Sequence, residues 1–116
     1  MQLAKVSKRR YAINFDLSIQ QLKQYYSEEH PKRAYAEIKK YMLSHGFEHR
    51  QYSGYVSLQT LSKPELLQFT MELHNEFPWL VECEGSMDAT VITDIFDIKQ
   101  MIIDTMTEDE DMDMSL

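Results

Sequence analysis

An aspartate at the end of an apolar strand is the first residue of this sequence whose position suggests chemistry. In the stretch YAINFDLS, residues 11–18, Asp16 ends a run of alternating apolar residues. Burial of an unpaired carboxylate is costly, and a valine would pack better at this position. A carboxylate kept there can bind a metal ion or transfer a proton. The structural alternative is a helix cap or a strand-end carboxylate, bonded in either case to the backbone amides of the following residues LSIQ.

Length and composition limit the classes of protein to consider. The chain has 116 residues, of which 43% are hydrophobic and 27% are charged, a composition that fits one domain with one core. No apolar run approaches the roughly 20 residues that span a bilayer, and the basic start is not followed by a signal-peptide core. Cys83 is the single cysteine, which excludes an internal disulfide and a Cys-rich zinc site. We therefore expect a cytoplasmic protein with no membrane contact.

The charges are segregated along the chain, although the net charge is −7. Residues 1–50 hold ten Lys/Arg and five Asp/Glu, whereas residues 51–116 hold two and fourteen. The N-terminal half can therefore bind a polyanion, although such asymmetry also arises from ordinary solvated faces. We expect a basic extension over 1–9, a folded domain over 10–106 and a disordered acidic tail over 107–116.

Hydrophobic periodicity predicts an alternating order of strands and helices. Two capping boxes, Ser18 with Gln21 and Ser62 with Glu65, mark helix starts, and Gly46 is typical of a left-handed helix end. The predicted elements are a strand at 10–17, a short helix after it, a helix over 31–46, strands near 47–51 and 54–58, a helix over 62–78, a strand within 89–96 and a terminal helix from 97.

This order is the ferredoxin-like α+β plan, βαββαβ with an antiparallel sheet, extended by a short helix after the first strand and by a C-terminal helix. Two helices cover one face of such a sheet and leave the other face bare. A second copy of the chain is the simplest cover for a bare apolar face. We therefore expect a homodimer that buries apolar residues of this face, with the terminal helix as a further contributor.

Three stretches together resemble the virulence-associated protein D (VapD) family: YAINFDLS, RAYAEIKKYMLSHGFEHRQYSGYVS and VITDIFDIKQMI. The resemblance covers roughly residues 10–106, and the family is similar to the small ferredoxin-like nuclease subunit of CRISPR adaptation complexes. It implies an endoribonuclease, in some bacteria the toxin of a toxin–antitoxin pair with a protein antitoxin, and it places the catalytic aspartate at Asp16. Where members usually read Gln-Gly-Ser-Val-Tyr, this chain reads QYSGY at residues 51–55, so the glycine has moved. Asp94 and Asp97 match the late acids of the family, although a cap of the last helix explains Asp97 equally well.

Two catalytic schemes fit an RNA substrate. In the first, Asp16 and its mate in a dimer hold Mg²⁺, which activates a water molecule and polarises the phosphate. In the second, the 2′-hydroxyl of the RNA attacks, and the chain supplies a base and hydrogen-bond donors. Ser53 and Tyr55 are the predicted catalytic donors, with ordinary strand positions as the alternative for both. The predicted RNA-binding residues are Arg9, Arg10 and Gly54.

A function of a different class also fits this sequence. The same fold without catalysis would be a homodimeric adaptor that binds nucleic acid or another protein. No P-loop, glycine-rich dinucleotide turn or nucleophile elbow is present in the sequence.

Overall fold

The structure is a computed structural model that describes residues 7–51, 53–93 and 97–114, with side chains described as far as residue 107. In chain order its elements are β1 Arg10–Leu17, α1 Ile19–Tyr25, α2 Arg33–Ser44, β2 Phe47–Gln51, β3 Gly54–Ser57, α3 Lys63–Glu76, α4 Leu80–Cys83, β4 Glu84–Ile92 and α5 Ile98–Met114. In this part of the chain no helix has the length and apolarity needed to cross a bilayer.

The four strands form one antiparallel sheet in the order β2-β3-β1-β4. This order follows from the connections: the β2–β3 hairpin folds back beside β1, and the crossover through α3 carries the chain to the other side of β1. The result is an α+β fold compatible with the predicted ferredoxin-like plan. The central strand, β1, contacts both halves of the sheet and therefore positions any residue at its ends.

The side chains of β1 alternate between a core face and an open face. Tyr11, Ile13 and Phe15 are buried, whereas Asn14 and Asp16 are exposed. The core beneath β1 combines residues of the sheet, α2, α3 and α4: Ile13, Phe15, Ile38, Met42, Phe47, Tyr55, Leu73 and Leu80. At about 1.5–3 kcal/mol for a fully buried large apolar side chain, this core is a main source of stability.

Local signals explain the helix ends. The Ser18 hydroxyl accepts a hydrogen bond from the amide of Gln21 at the start of α1. Ser62 and Glu65 form a reciprocal capping box at the start of α3. Gly46 follows α2 with φ of 85°, which confirms the predicted left-handed helix end.

Three features differ from the sequence-based expectations. Strand β4 begins at Glu84, before the predicted 89–96 segment, because its first residues pair with the end of β1. The short helix α4 precedes it and was not predicted. Helix α5 continues to Met114, through most of the tail for which disorder was expected, since extending an existing helix is easier than nucleating one.

The open face of the sheet is also more polar than expected. The pairs across β1 and β4 nearest the end of β1 on this face are Asn14 with Asp88 and Asp16 with Ser86, and Ala12 pairs with Thr90 beyond them. An apolar dimer contact centred on these pairs, as the sequence led us to expect, has little apolar surface to bury. The exposed apolar residues lie instead mainly on α5, where Ile98, Met101, Ile102 and Met106 are each at least half exposed.

Candidate functional site

Several strands and helices begin or end at the same end of the sheet. Strand β1 ends there, the β2–β3 hairpin turns there, and β4 begins there, because neighbouring strands are antiparallel. Helix α2 also begins at this end. The convergence leaves a cleft of about 430 Å³ lined by Asp16, Leu17, Tyr35 and Ser53. Two of the predicted catalytic residues, Asp16 and Ser53, therefore lie in the same cleft.

The Asp16 carboxylate is held by β4. Its Oδ1 accepts hydrogen bonds from the Ser86 amide at 2.6 Å and from the Ser86 hydroxyl at 2.9 Å. These bonds, the hydroxyl first, lower the pKa of Asp16 below its ordinary value of 3.8, against a smaller opposing effect of desolvation. Asp16 is therefore a charged group at neutral pH, fixed in direction and open to solvent.

The alternative interpretation of Asp16, a carboxylate bonded to the amides of LSIQ, names the wrong hydrogen-bond partners. Helix α1 is capped by Ser18, and the Asp16 carboxylate is bonded to Ser86, 70 positions away in sequence. Asp16 thus has a structural contact, which ties β1 to β4, in addition to its position in the cleft.

A glycine leaves the space that the Asp16 carboxylate occupies. The pairing of β1 with β4 shifts between Asp16 and Leu17, so that Gly85 lies between the residues paired with them. A Cβ atom on Gly85 would lie 2.9 Å from Asp16 Oδ2 and 3.1 Å from Oδ1. Any larger residue at this position must displace the carboxylate.

Ser53 lies beside Asp16, but its hydroxyl already has a partner. It donates to the backbone carbonyl of Phe15, and the Phe15 amide donates to the Ser53 carbonyl at 3.3 Å. Gly54 follows in the hairpin, where a Cβ atom would lie 3.1 Å from Asn14 Oδ1 and from the Gln51 carbonyl. Ser53 and Gly54 therefore fasten the hairpin to β1, and Gly54 is explained by close packing.

Tyr55, predicted as a catalytic donor, is in the core. It pairs with Ile13 on the helix-covered face, is 2% exposed and stacks on Phe15 with ring centroids 6.0 Å apart. Burial raises the pKa of Tyr55 to about 12. Because Asp16 is on the open face, the structure does not bring Tyr55 to it, and the ordinary core position is correct.

Arg9 and Arg10, predicted to bind RNA at the site, lie at the other end of β1. Five residues of strand lie between Arg10 and Asp16, and the six steps along the strand span about 20 Å. Arg10 Nε donates to the Ser57 carbonyl at 2.9 Å, and Arg9 pairs with Leu61 through the backbone. These two residues cannot neutralise charge at the Asp16 cleft of their own chain.

Tyr35 is the cleft residue that sequence reasoning missed. It lies in the first turn of α2, beside the buried stripe of Ala34, Ile38 and Met42. Burial and then the charge of Asp16 raise the pKa of Tyr35, so its phenol carries a proton at neutral pH. Its position just beside an apolar stripe, near a helix start, was the available signal, but only the fold shows that this helix start meets the end of β1.

Exposed cations also lie on elements that end near the cleft. Lys32 and Arg33 stand at the start of α2, and Arg50 stands in β2 just before the hairpin, where it approaches Glu48 at 3.8 Å. These residues are better placed than Arg9 and Arg10 to meet an anion bound beside Asp16.

The acidic residues near the cleft do not form a complete metal site among the described residues. Among the described residues no group of three or more His, Cys, Asp or Glu side chains could hold a metal ion. Asp97 caps α5, since its Oδ1 accepts from the Gln100 amide at 2.9 Å, and Asp94 and Tyr52 lie outside the described residues. The cleft of one chain thus offers Mg²⁺ a single carboxylate.

The sequence matches no model of a known protein family, and a search of curated proteins finds no match. The resemblance to the VapD family therefore depends on the short motifs alone.

Proposed function

We propose that this chain is an endoribonuclease that cleaves RNA in the Asp16 cleft. The observation that supports the proposal is that one open cleft is lined by both the Asp16 carboxylate, which is charged at neutral pH, and the Tyr35 phenol, which is protonated there. A charged acceptor beside a protonated donor is the pair that general acid–base catalysis needs.

The proposed reaction uses the 2′-hydroxyl of the RNA as the nucleophile. Asp16 takes the proton of this hydroxyl, the 2′-oxygen attacks the adjacent phosphorus, and the bond from phosphorus to the 5′-oxygen breaks. Tyr35 donates its proton to the departing 5′-oxygen. The products are a 2′,3′-cyclic phosphate and a 5′-hydroxyl.

The lowered pKa of Asp16 has a cost in this scheme, because it makes the carboxylate a weaker base. The fixed direction that the bonds from Ser86 give the carboxylate offsets this cost. Lys32, Arg33 and Arg50 are the proposed phosphate contacts, since they can offset the negative charge of the substrate without contacting Asp16.

A magnesium scheme needs ligands beyond those of a single cleft. Mg²⁺ prefers six oxygen ligands and is held by one or two carboxylates together with substrate phosphates and waters. The mate of Asp16 in a dimer or the RNA itself would have to supply the remainder. The proposal therefore assigns no step to the metal.

The test is an incubation of purified protein with structured RNA, with Mg²⁺ or with a chelator. The proposal predicts cleavage in both, products ending in a cyclic phosphate, and loss of cleavage at a position where the 2′-hydroxyl is replaced by hydrogen. Cleavage that requires Mg²⁺ and leaves a 3′-hydroxyl would support metal-assisted hydrolysis instead. Intact RNA in every reaction would contradict nuclease activity.

We also propose that the protein is a homodimer that associates through α5. Ile98, Met101, Ile102 and Met106 recur at intervals of three and four residues and form one exposed apolar stripe. A stripe of this kind on a helix is an ordinary subunit contact, whereas the open sheet face is polar.

The same stripe supports the second candidate function, a non-catalytic adaptor. An exposed amphipathic helix can dock into the groove of another protein. The two candidates are separated by the RNA assay above, since an adaptor binds partners through α5 and leaves RNA intact.

A further inference from the structure

A partly buried pair, His74 and Glu84, connects α3 to β4, the strand whose Ser86 bonds to Asp16. His74 Nε2 lies 2.9 Å from Glu84 Oε1, and His74 Nδ1 lies 2.6 Å from the Thr70 carbonyl oxygen. Their side chains are 27% and 16% exposed. Glu84 Oε2 is buried and has no hydrogen-bond partner among the described residues, so within them the bond of Oε1 to His74 is what holds this carboxylate.

The geometry favours the protonated form of the imidazole. A carbonyl oxygen and a carboxylate are both acceptors, so the two ring nitrogens both donate only when the ring is an imidazolium. Burial lowers the pKa of His74, but the bonds to Thr70 and Glu84 together outweigh burial and raise it above 6.5. Among the described residues, the charged group facing the ring is Glu84 from β4, and the contact from α3 is the neutral Thr70 carbonyl.

Glu84 is also the first residue of the segment that positions Asp16. The shift in pairing at Gly85 lets Glu84 turn toward α3 on the helix-covered side, while Ser86 turns toward Asp16 on the open side. Three consecutive residues of β4 therefore connect the ion pair to the cleft: Glu84 binds His74, Gly85 leaves room for the carboxylate, and Ser86 donates to it.

We infer that His74 is a positioning residue: its protonated ring holds Glu84 at the start of β4 and thereby fixes the Ser86 donors that orient Asp16. The folded-state pKa of His74 is raised, so the stabilising contact is complete below about 6.5, the ordinary histidine value, and is lost as the pH rises through the folded pKa. Deprotonation leaves a neutral ring nitrogen facing a buried carboxylate. The start of β4 then loosens, and Asp16 loses its fixed direction.

The expected effect of His74 deprotonation on RNA cleavage rests on the proposed function, whereas its expected effect on the Ser86 amide does not. The first measurement is therefore an NMR titration from pH 5 to 9 that follows the His74 ring and the Ser86 amide. We expect the Ser86 amide shift to move with the same midpoint as His74. In Glu84→Gln, which keeps the side-chain shape, the His74 midpoint should fall and the Ser86 step should move with it.

A matched control is available at the other end of the fold. His45 bonds the Tyr41 carbonyl through Nδ1 at 2.7 Å and follows α2, away from β4. His45→Gln should leave the Ser86 titration unchanged, whereas His74→Gln should abolish the step. A Ser86 amide that shows no step at the His74 midpoint would overturn the inference.

The cleavage assay then separates this inference from the proposed function. In wild type the cleavage rate should fall as the pH rises through the His74 midpoint, by on the order of tenfold or more for a misplaced group. In His74→Gln the cleavage rate at acidic pH should already be as low as the wild-type rate above the midpoint, so the fall with pH should disappear. If the Ser86 amide titrates with His74 but no RNA is cleaved, the proposed function is wrong and the positioning role stands. If RNA is cleaved and the pH dependence of the rate is the same in His74→Gln as in wild type, the positioning role is wrong and the proposed function stands.

Discussion

The carboxylate of Asp16 accepts both hydrogen-bond donors of Ser86, the amide at 2.6 Å and the hydroxyl at 2.9 Å, across the β1–β4 pair. One serine thus fixes the direction of the acid in the cleft and lowers its pKa. A carboxylate held in this way loses little freedom when a substrate arrives, which is the basis of preorganised catalysis.

Removal of the Ser86 hydroxyl should raise the pKa of Asp16. In Ser86→Ala the backbone amide still donates, so we expect a partial rise toward the ordinary value of 3.8. The folded-state pKa of Asp16 is lowered, so its contribution to stability is present above the ordinary value and is lost as the pH falls through the folded pKa. An NMR titration of the Asp16 carboxyl carbon measures the change directly.

Ser44→Ala is the control for this titration, because Ser44 donates to the Tyr41 carbonyl at the end of α2. It should leave the Asp16 titration as in wild type. An identical Asp16 pKa in Ser86→Ala and wild type would show that the hydroxyl has no role in setting the charge.

Two glycine substitutions should affect different properties. Gly85→Ala places a Cβ atom against the Asp16 carboxylate, which must move. We expect cleavage to fall by on the order of a hundredfold, the effect of a displacement of about 1 Å, with little change in stability since a side chain can shift.

Gly46→Ala should show the opposite behaviour. Its φ of 85° is strained for alanine, at about 1–2 kcal/mol, but the added atom meets nothing within 4 Å. Chemical denaturation should show the loss of stability, and cleavage per folded molecule should be unchanged. Equal cleavage rates in the two variants would argue against a role for the Gly85 space.

A pair of tyrosine variants tests the corrected composition of the site. Tyr35→Phe removes the phenol that lines the cleft, and we expect cleavage to fall by about a hundredfold with the fold intact. Tyr55→Phe removes a core phenol and should cleave RNA at the wild-type rate. If Tyr55→Phe were the impaired variant, the assignment of Tyr35 as the acid would be wrong.

The elements were predictable where one local pattern determines them. The alternation of Tyr11, Ile13 and Phe15 defines β1, and the Ser62–Glu65 pair defines the start of α3. Asp16 was identifiable as the carboxylate at the end of this strand, on the side that the alternation leaves exposed. These signals lie within a few residues of the feature that they predict.

The partners of Asp16 were not predictable, because they depend on register between distant segments. Ser86 reaches Asp16 only through a pairing that shifts at Gly85, and Tyr35 reaches the cleft only through the packing of α2. The same dependence explains why Tyr55 and Arg10 were wrongly assigned to the site. Tyr55 points to the core face of the sheet, opposite the face that carries Asp16, and Arg10 lies at the start of β1, whereas Asp16 lies near its end.

The apolar stripe of α5 predicts how the protein assembles. Ile102→Glu puts a charge in the middle of the stripe, and we expect it to convert a dimer into a monomer, measured by light scattering at micromolar concentration. Thr107→Glu adds the same charge to the opposite face of α5 and should leave the dimer intact. A wild-type protein that is already monomeric would contradict association through α5.

The central claim is that Asp16 performs chemistry in addition to its contact with Ser86. Asn at this position keeps an oxygen that accepts from the Ser86 amide, so the melting temperature of Asp16→Asn should stay close to that of wild type. The charge is lost, and RNA cleavage should fall by at least about a hundredfold, the scale of an acid–base group. The most direct test measures thermal unfolding and the cleavage rate on the same two preparations. Unchanged melting with lost cleavage is the predicted result, and a folded Asp16→Asn protein that cuts RNA at the wild-type rate would contradict the claim.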